Sequence, residues 1–248
     1  TVSGFALNYV TPVGLMGGEP YRIMELTSYV GVERATSSVI LYVMMHIFSH
    51  FCFWLSSVLI YVFFYPVGWG MGIVLGLITL FCLLLVTLFI KGYRNGMAVA
   101  CIRLGSHIPF LKKRAVRIAE LHKEKLETID SQIALLHQQR KSTFYSALGL
   151  EYTARIVGCL EVWLILNVLT TDVSFVGCIL IVAFSSLLAN LLFFLPMQLG
   201  GREGGFALAV AGLSLSGAYG VFAALITRVR EMVWIVIGLV LMKIGNRR

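Results

Sequence analysis

Charge is scarce in this sequence. Asp, Glu, Lys and Arg make up 13% of its 248 residues, whereas 58% are apolar and the mean hydropathy is +0.88. That shortage excludes an ordinary soluble domain, because the chain holds several runs near the ~20 apolar residues that cross a bilayer. Cysteine is equally sparse: five residues, at 52, 82, 101, 159 and 178, stand singly in or beside apolar runs. Without a C-x-x-C or a Cys/His cluster they give no metal centre and read as packing residues. No phosphate-binding loop, metal motif, Ser/His/Asp grouping or nucleic-acid motif occurs, so no cofactor, catalytic residue or nucleic-acid partner is expected. The pattern of a signal peptide is also missing at Thr1, and the sequence does not start with methionine. A preceding segment is therefore expected.

What is present is a set of long apolar runs. Spanning helices are predicted at about 36–64, 68–90, 144–169, 173–195 and 216–243. Lipid offers no partner to open backbone, so the fold class is all-α, a polytopic integral membrane protein. Two shorter segments, about 12–30 and 197–214, are apolar but interrupted by Gly, Pro and charge. They read as broken or re-entrant helices buried in protein. This gives a first membrane half at 1–91, a polar loop at 92–142 and a second membrane half at 143–248.

The loop carries ten Lys or Arg against four Asp or Glu, a surplus of six within the chain's net +8. The positive-inside rule puts it in the cytoplasm, and the basic balance is one of topology rather than of a nucleic-acid surface. Ile118, Leu121, Ile129, Ile133 and Leu136 have helical spacing, which predicts an amphipathic helix or hairpin. Lys112, Lys113, Arg114 and Arg117 are either a solvated face or an attraction for anionic headgroups at about 1 kcal/mol per charge. His107, His122 and His137 lie in the same loop and read as solvated.

One motif occurs twice. The stretch TPVGLMGGEPYR, Thr11 to Arg22, has an echo in LPMQLGGREGG, Leu195 to Gly205. Superimposing Pro12 on Pro196 brings Glu19 onto Glu203, each just after a glycine pair, Gly17–Gly18 or Gly200–Gly201. The register is imperfect: the glycine pair slips by one, Asn8 and Asn190 do not align, and Arg22 follows its glutamate whereas Arg202 precedes it. After each copy comes a short apolar segment, a turn at Gly31 or Gly212, and a long helix with polar residues in its middle. Those residues are His46 and His50 in the first copy and Arg228, Arg230 and Glu231 in the second. Arg or Asp at a helix centre costs about 2.5–3.5 kcal/mol, so such groups face a partner or a pathway. The competing reading ends a helix at Thr227, but it strands MVWIVIGLVLM, 11 residues, which is too short to span. Proline and paired glycines suit a chain reversal inside protein, and the helix termini left there can hold ions.

The order P-x-x-x-x-G-G-E, a glycine turn, a helix with a polar centre, then a second Pro/Gly/Glu copy before an Arg-bearing helix, resembles the lysylphosphatidylglycerol synthase transmembrane family, also called flippase-like domain proteins. Arg155 and Glu161 in LEYTARIVGCLEVWLILNVL extend the resemblance, which covers nearly the whole chain. It implies lipid movement: in relatives this domain is thought to pass aminoacylated phosphatidylglycerol to the outer leaflet of the bacterial cytoplasmic membrane. Only IGNRR follows Lys243 in this sequence, so the resemblance gives no ground for lipid aminoacylation. His46 and His50 stand where the resemblance implies an arginine, which puts strict symmetry of the halves in doubt.

The expectation is a lipid translocase rather than an enzyme, with a charged groove between two similar halves. Arg155, Arg228 and Arg230 would hold a phosphate; Glu19, Glu161, Glu203 and Glu231 would pair those arginines or meet a cationic headgroup, with Arg22, Arg202, His46 and His50 alongside. Its partners would be membrane lipids, anionic or aminoacylated, with a separate lipid-modifying enzyme and a homo-oligomer left open. An intramembrane lipid-modifying enzyme using Glu19, His46 or Glu203 as acid or base, a small-solute transporter and an accessory membrane subunit are the alternatives. Gly68, Gly72 and Gly76 form a small-residue face expected to pack against another helix, and Trp54, Trp69, Trp163 and Trp234 are expected in part at the interfaces.

Overall fold

The computed structural model describes residues 2–11, 17–95, 131, 141–170, 173–192 and 198–245. Among them no strand occurs. The helices are α1 (Val2–Val10), α2 (Gly18–Val30), α3 (Val32–Phe64), α4 (Trp69–Asn95), α5 (Lys141–Leu169), α6 (Phe175–Leu191), α7 (Gly201–Gly212) and α8 (Gly217–Gly245). Three stretches are long and apolar enough to cross a membrane: Val32–Phe64, Trp69–Leu88 and Phe144–Leu169. At 1.5 Å per residue the 33 residues of α3 reach about 50 Å, well beyond the ~30 Å hydrocarbon layer. The chain is an all-helical membrane protein. The basic loop, with Lys112, Lys113, Arg114, Arg117 and its three histidines, lies outside the described residues, as do Pro12 and Pro196.

Two compact units form. One comprises Thr1–Arg22, Cys52–Gly72 and Tyr152–Arg248; the other comprises Ile23–Phe51 and Ile73–Glu151. In the first, Val162 and Leu166 of α5 pack with Cys178 and Ile181 of α6, Phe206 and Val210 of α7, and Ala223 and Ala224 of α8. Small residues set the spacing. A Cβ on Gly220 of α8 would collide with the Phe206 carbonyl of α7, and one on Gly238 would come 2.6 Å from the Ala6 side chain of α1. Helix α8 is thereby held against both short helices. Trp54 donates to Ser186 at 2.9 Å and Tyr152 to Ser56 at 2.8 Å, tying the end of α3 to α6 and α5. Ser174 caps α6 by accepting from the Gly177 amide at 3.0 Å.

Several expectations change. Helix α1 is a new element: its nine residues are too few for a span, so a search by apolar length passes over them. Gly31, at φ 82°, divides α2 from α3 as expected, but the break after α7 has its left-handed residue at Ser214, φ 64°, two positions beyond Gly212. A Cβ added to Gly68 or Gly76 would meet nothing within 4 Å, and one on Gly72 would meet only Val67. No helix among the described residues packs on that glycine face. Trp69 is 95% exposed, whereas Trp54 is buried and belongs to the core. Cys82, Cys159 and Cys178 are buried and unoxidised, consistent with packing.

Candidate functional site

Helix α8 runs without interruption from Gly217 to Gly245, so Arg228, Arg230 and Glu231 lie at its twelfth, fourteenth and fifteenth positions of 29. The reading in which a helix ends at Thr227 is thereby removed. Arg228 and Glu231 are buried there and need partners, and α7 provides both. Arg202 Nη1 is 2.5 Å from Glu231 Oε1, and Arg228 Nε bonds Glu203 Oε1. The pairing is crossed: adjacent residues of opposite charge on α7 meet residues three apart on one face of α8. Arg228 and Glu231 are 7% and 6% exposed, which makes these buried pairs rather than surface ones.

The remaining valences are met locally. Arg202 Nη2 lies 3.4 Å from Thr227 Oγ1, whose own proton goes to the Ala224 carbonyl at 2.8 Å. Arg228 Nη2 reaches the Gln198 carbonyl at 3.4 Å, and the Gly200 amide donates to Glu203 Oε2 at 2.8 Å. Gly200 is at φ 80°, so the glycine pair supplies the reversal that brings the start of α7 under its own glutamate. Tyr9 of α1 sits beside Arg202 and Glu231 and interacts with both. Farther along α8, Arg230 Nη1 is 2.8 Å from Glu161 Oε2 on α5, with the arginine half exposed.

The first motif has a related construction. Glu19 opens α2, where the helix dipole favours an anion, and Arg22 Nη1 lies 3.0 Å from its Oε1. Asn8 of α1 bridges the reversal: its Oδ1 accepts from the Gly18 amide at 2.7 Å while its Nδ2 donates to Glu19 Oε1 at 3.3 Å. A Cβ on Gly18 would collide with the Gly4 carbonyl, so only glycine allows α1 and α2 this close. Gly17 is crowded by Thr11, and Gly201 by Leu192. Glu19 Oε2 is buried and has no hydrogen-bond partner among the described residues.

Three groups of the sequence candidates result. Arg202, Glu203, Arg228, Arg230, Glu231 and Glu161 converge; Glu19 joins Arg22; and His46 pairs with Glu151 at 3.1 Å, with His50 edge-on to its ring. Arg155 lies half-buried on α5, and its carbonyl accepts from Cys159. Asn8, Tyr9, Thr227, Gln198 and Glu151 were missed. Asn8 and Tyr9 fell in the unassigned α1. Glu151, a carboxylate seven residues into a predicted span, was a legible signal of the kind that singled out Glu161. No group of three or more His, Cys, Asp or Glu among the described residues could hold a metal ion.

The family model for the lysylphosphatidylglycerol synthase TM region matches residues 1–239. No curated protein and no solved structure matches the chain. A match over nearly all of 248 residues, including both glycine–glutamate motifs and the charged centre of α8, is of the whole membrane body, and the chain belongs to the lysylphosphatidylglycerol synthase transmembrane-region family.

Proposed function

We propose that this protein is a lipid translocase, moving the headgroup of a phospholipid or related lipid between leaflets past the charges of α7 and α8. The crossed pairs Arg202–Glu231 and Arg228–Glu203 carry the reading. They put four charges in the middle of a long helix and beside it, in a family whose description names a lipid that joins an anionic phosphate to a cationic aminoacyl group. Such charges are costly unless they serve a pathway, and each already has an exchangeable partner. An entering phosphate takes over the planar forks of Arg228 and Arg202, and the released carboxylates turn to a cationic group or to water. No buried charge then stands alone during the exchange.

The two helical pairs α1–α2 and α6–α7 support a re-entrant, two-part construction. Each second helix starts at a glycine, bears a glutamate in its first turn, and leads into a long helix, α3 or α8. Broken helices of this kind place termini and charges at membrane depth in transporters built from repeats. The reading locates the protein in the bacterial cytoplasmic membrane with residues 92–142 on the cytoplasmic side. It makes the chain a carrier of lipids, anionic or aminoacylated, that a separate enzyme has modified.

The test uses the purified protein in liposomes with a fluorescent phospholipid confined to one leaflet. Redistribution above that of protein-free vesicles, with the lipid's mass unchanged, is the expected result. A changed lipid mass would make the protein a lipid-modifying enzyme, and an unmoved, unchanged lipid would reject both.

A further inference from the structure

The ion pairs of α7 and α8 leave the histidines of α3 without a role. His46 Nδ1 lies 3.1 Å from Glu151 Oε2, joining α3 to α5 inside one compact unit. His50 stands one turn on, its ring edge-on to His46 with centroids 5.3 Å apart, and Tyr42 one turn before, with rings stacked at 6.1 Å. The three rings therefore line one face of α3 over about 12 Å of its axis. His46 is the fifteenth of 33 residues in that helix, so the pair sits at membrane depth. Side-chain exposures of 46% for His46 and 29% for Glu151 show that packing among the described residues does not seal the pair.

The geometry points to His46 and Glu151 as a proton-binding site, with His50 as the adjoining relay, that couples a transmembrane proton gradient to lipid movement. Imidazole is the side chain whose charge changes near neutral pH, and chains of His and carboxylate inside a membrane form proton pathways. With the imidazole neutral and the carboxylate ionised, the site carries a charge of −1. One added proton makes the imidazolium, which donates to the carboxylate and brings the net charge to zero; its release restores the neutral imidazole. Only O–H and N–H bonds change. Tyr42 and His50 face His46 from α3, and Glu151 from α5. The other described titratable side chains of this unit, Glu25, Tyr29, Glu33, Arg34 and Tyr145, are exposed, and Cys82 is buried. Glu151 stands on α5, the same continuous helix that carries Glu161.

The inference rests on the translocase reading, and the experiment separates the two. Vesicles of phosphatidylethanolamine and phosphatidylglycerol containing the protein and a fluorescent phospholipid are compared with and without a pH gradient. Without a gradient the label equilibrates between leaflets. With a gradient of one pH unit, one proton per lipid sustains an about tenfold leaflet asymmetry. His46→Gln and Glu151→Gln each keep the equilibration and lose the asymmetry, and either variant alone suffices if the other does not fold. Wild-type protein that equilibrates label yet gives no asymmetry overturns the proton site and leaves the translocase. If label does not move at all, the translocase reading fails, and histidine-ring NMR titration of the detergent-purified protein decides on the proton site. A His46 midpoint that differs between wild type and Glu151→Gln upholds it; identical midpoints overturn it.

Discussion

Replacing Arg228 by Gln removes one partner of a buried pair and leaves Glu203 behind. The side chains are 9% and 18% exposed, so neither charge is rescued by bulk water. Breaking a pair of this kind from one side costs about 3–5 kcal/mol, because the survivor is buried uncompensated. Glu203→Gln strands Arg228 in the same way, at the lower end of that range because Glu203 also accepts from the Gly200 amide, which Gln Oε1 can still do. The double variant Arg228→Gln/Glu203→Gln leaves no charge to strand and costs no more than about 1–2 kcal/mol, as replacement of buried ion pairs by neutral groups generally does. Reversible unfolding by denaturing detergent in mixed micelles, followed by the fluorescence of the four tryptophans, measures all three. The expected signature is a double variant more stable than either single one, a coupling well above the ~0.5 kcal/mol seen between independent sites. Additive losses, or single variants within ~0.5 kcal/mol of wild type, would refute the buried pair.

Three further outcomes follow from the same geometry. Gly220→Ala drives a Cβ into the Phe206 backbone and should destabilise the protein by about 1–3 kcal/mol in the same assay, despite alanine's better helix propensity. Arg230→Gln, at a half-exposed pair with Glu161, should cost no more than about 1 kcal/mol, and a loss as large as that of Arg228→Gln would show the pair to be buried in the membrane. Cysteine introduced at Gln138, in a chain freed of its own reactive cysteines, should resist an impermeant maleimide in intact cells until the membrane is permeabilised. Ready labelling from outside would invert the topology.

Apolar length made the long helices legible. The expected 36–64, 68–90 and 144–169 fall on the three stretches long and apolar enough to span, Val32–Phe64, Trp69–Leu88 and Phe144–Leu169, because about twenty apolar residues in lipid have one way to satisfy their backbone; of the expected 173–195 the described helix is the shorter Phe175–Leu191, and 216–243 is one helix whose charged centre keeps it out of that class. Helix α1 escaped because nine residues carry no such signal; it is held by Gly18, whose missing side chain lets α2 touch the Gly4 carbonyl, by Gly4, which makes room for the Arg22 side chain, and by Asn8, which caps its neighbour. A glycine in sequence says that a close approach is allowed but not to what. The charged residues were legible as exceptions, since Arg228, Arg230 and Glu231 stand out in an apolar run. Their partners were not, because pairing α7 with α8 depends on a helix crossing that Gly220 sets. The sequence leads one to expect glutamates against the arginines without assigning them; Glu203 is the partner of Arg228, so removing the arginine strands a carboxylate.

That pairing bears on the proposed passage of a headgroup. An arginine waiting alone for phosphate would destabilise the empty protein, while one locked to carboxylate without alternative would never release it. The crossed arrangement avoids both: Arg202 and Arg228 have their glutamates on opposite helices, with Thr227 and the Gln198 carbonyl as secondary acceptors at 3.4 Å. Loss of one pair to a phosphate leaves the other to hold α7 on α8. The released carboxylate keeps a nearby donor as well: the Gly200 amide for Glu203, and Tyr9 or Arg230 for Glu231. Exchange can therefore proceed one pair at a time, each step trading one charge-assisted contact for another of similar strength. The same balance predicts that Lys is a poor substitute at position 228. A point charge could meet Glu203 but not hold phosphate and the Gln198 carbonyl together through a planar fork, so a folded Arg228→Lys protein with slowed lipid movement is what this geometry requires.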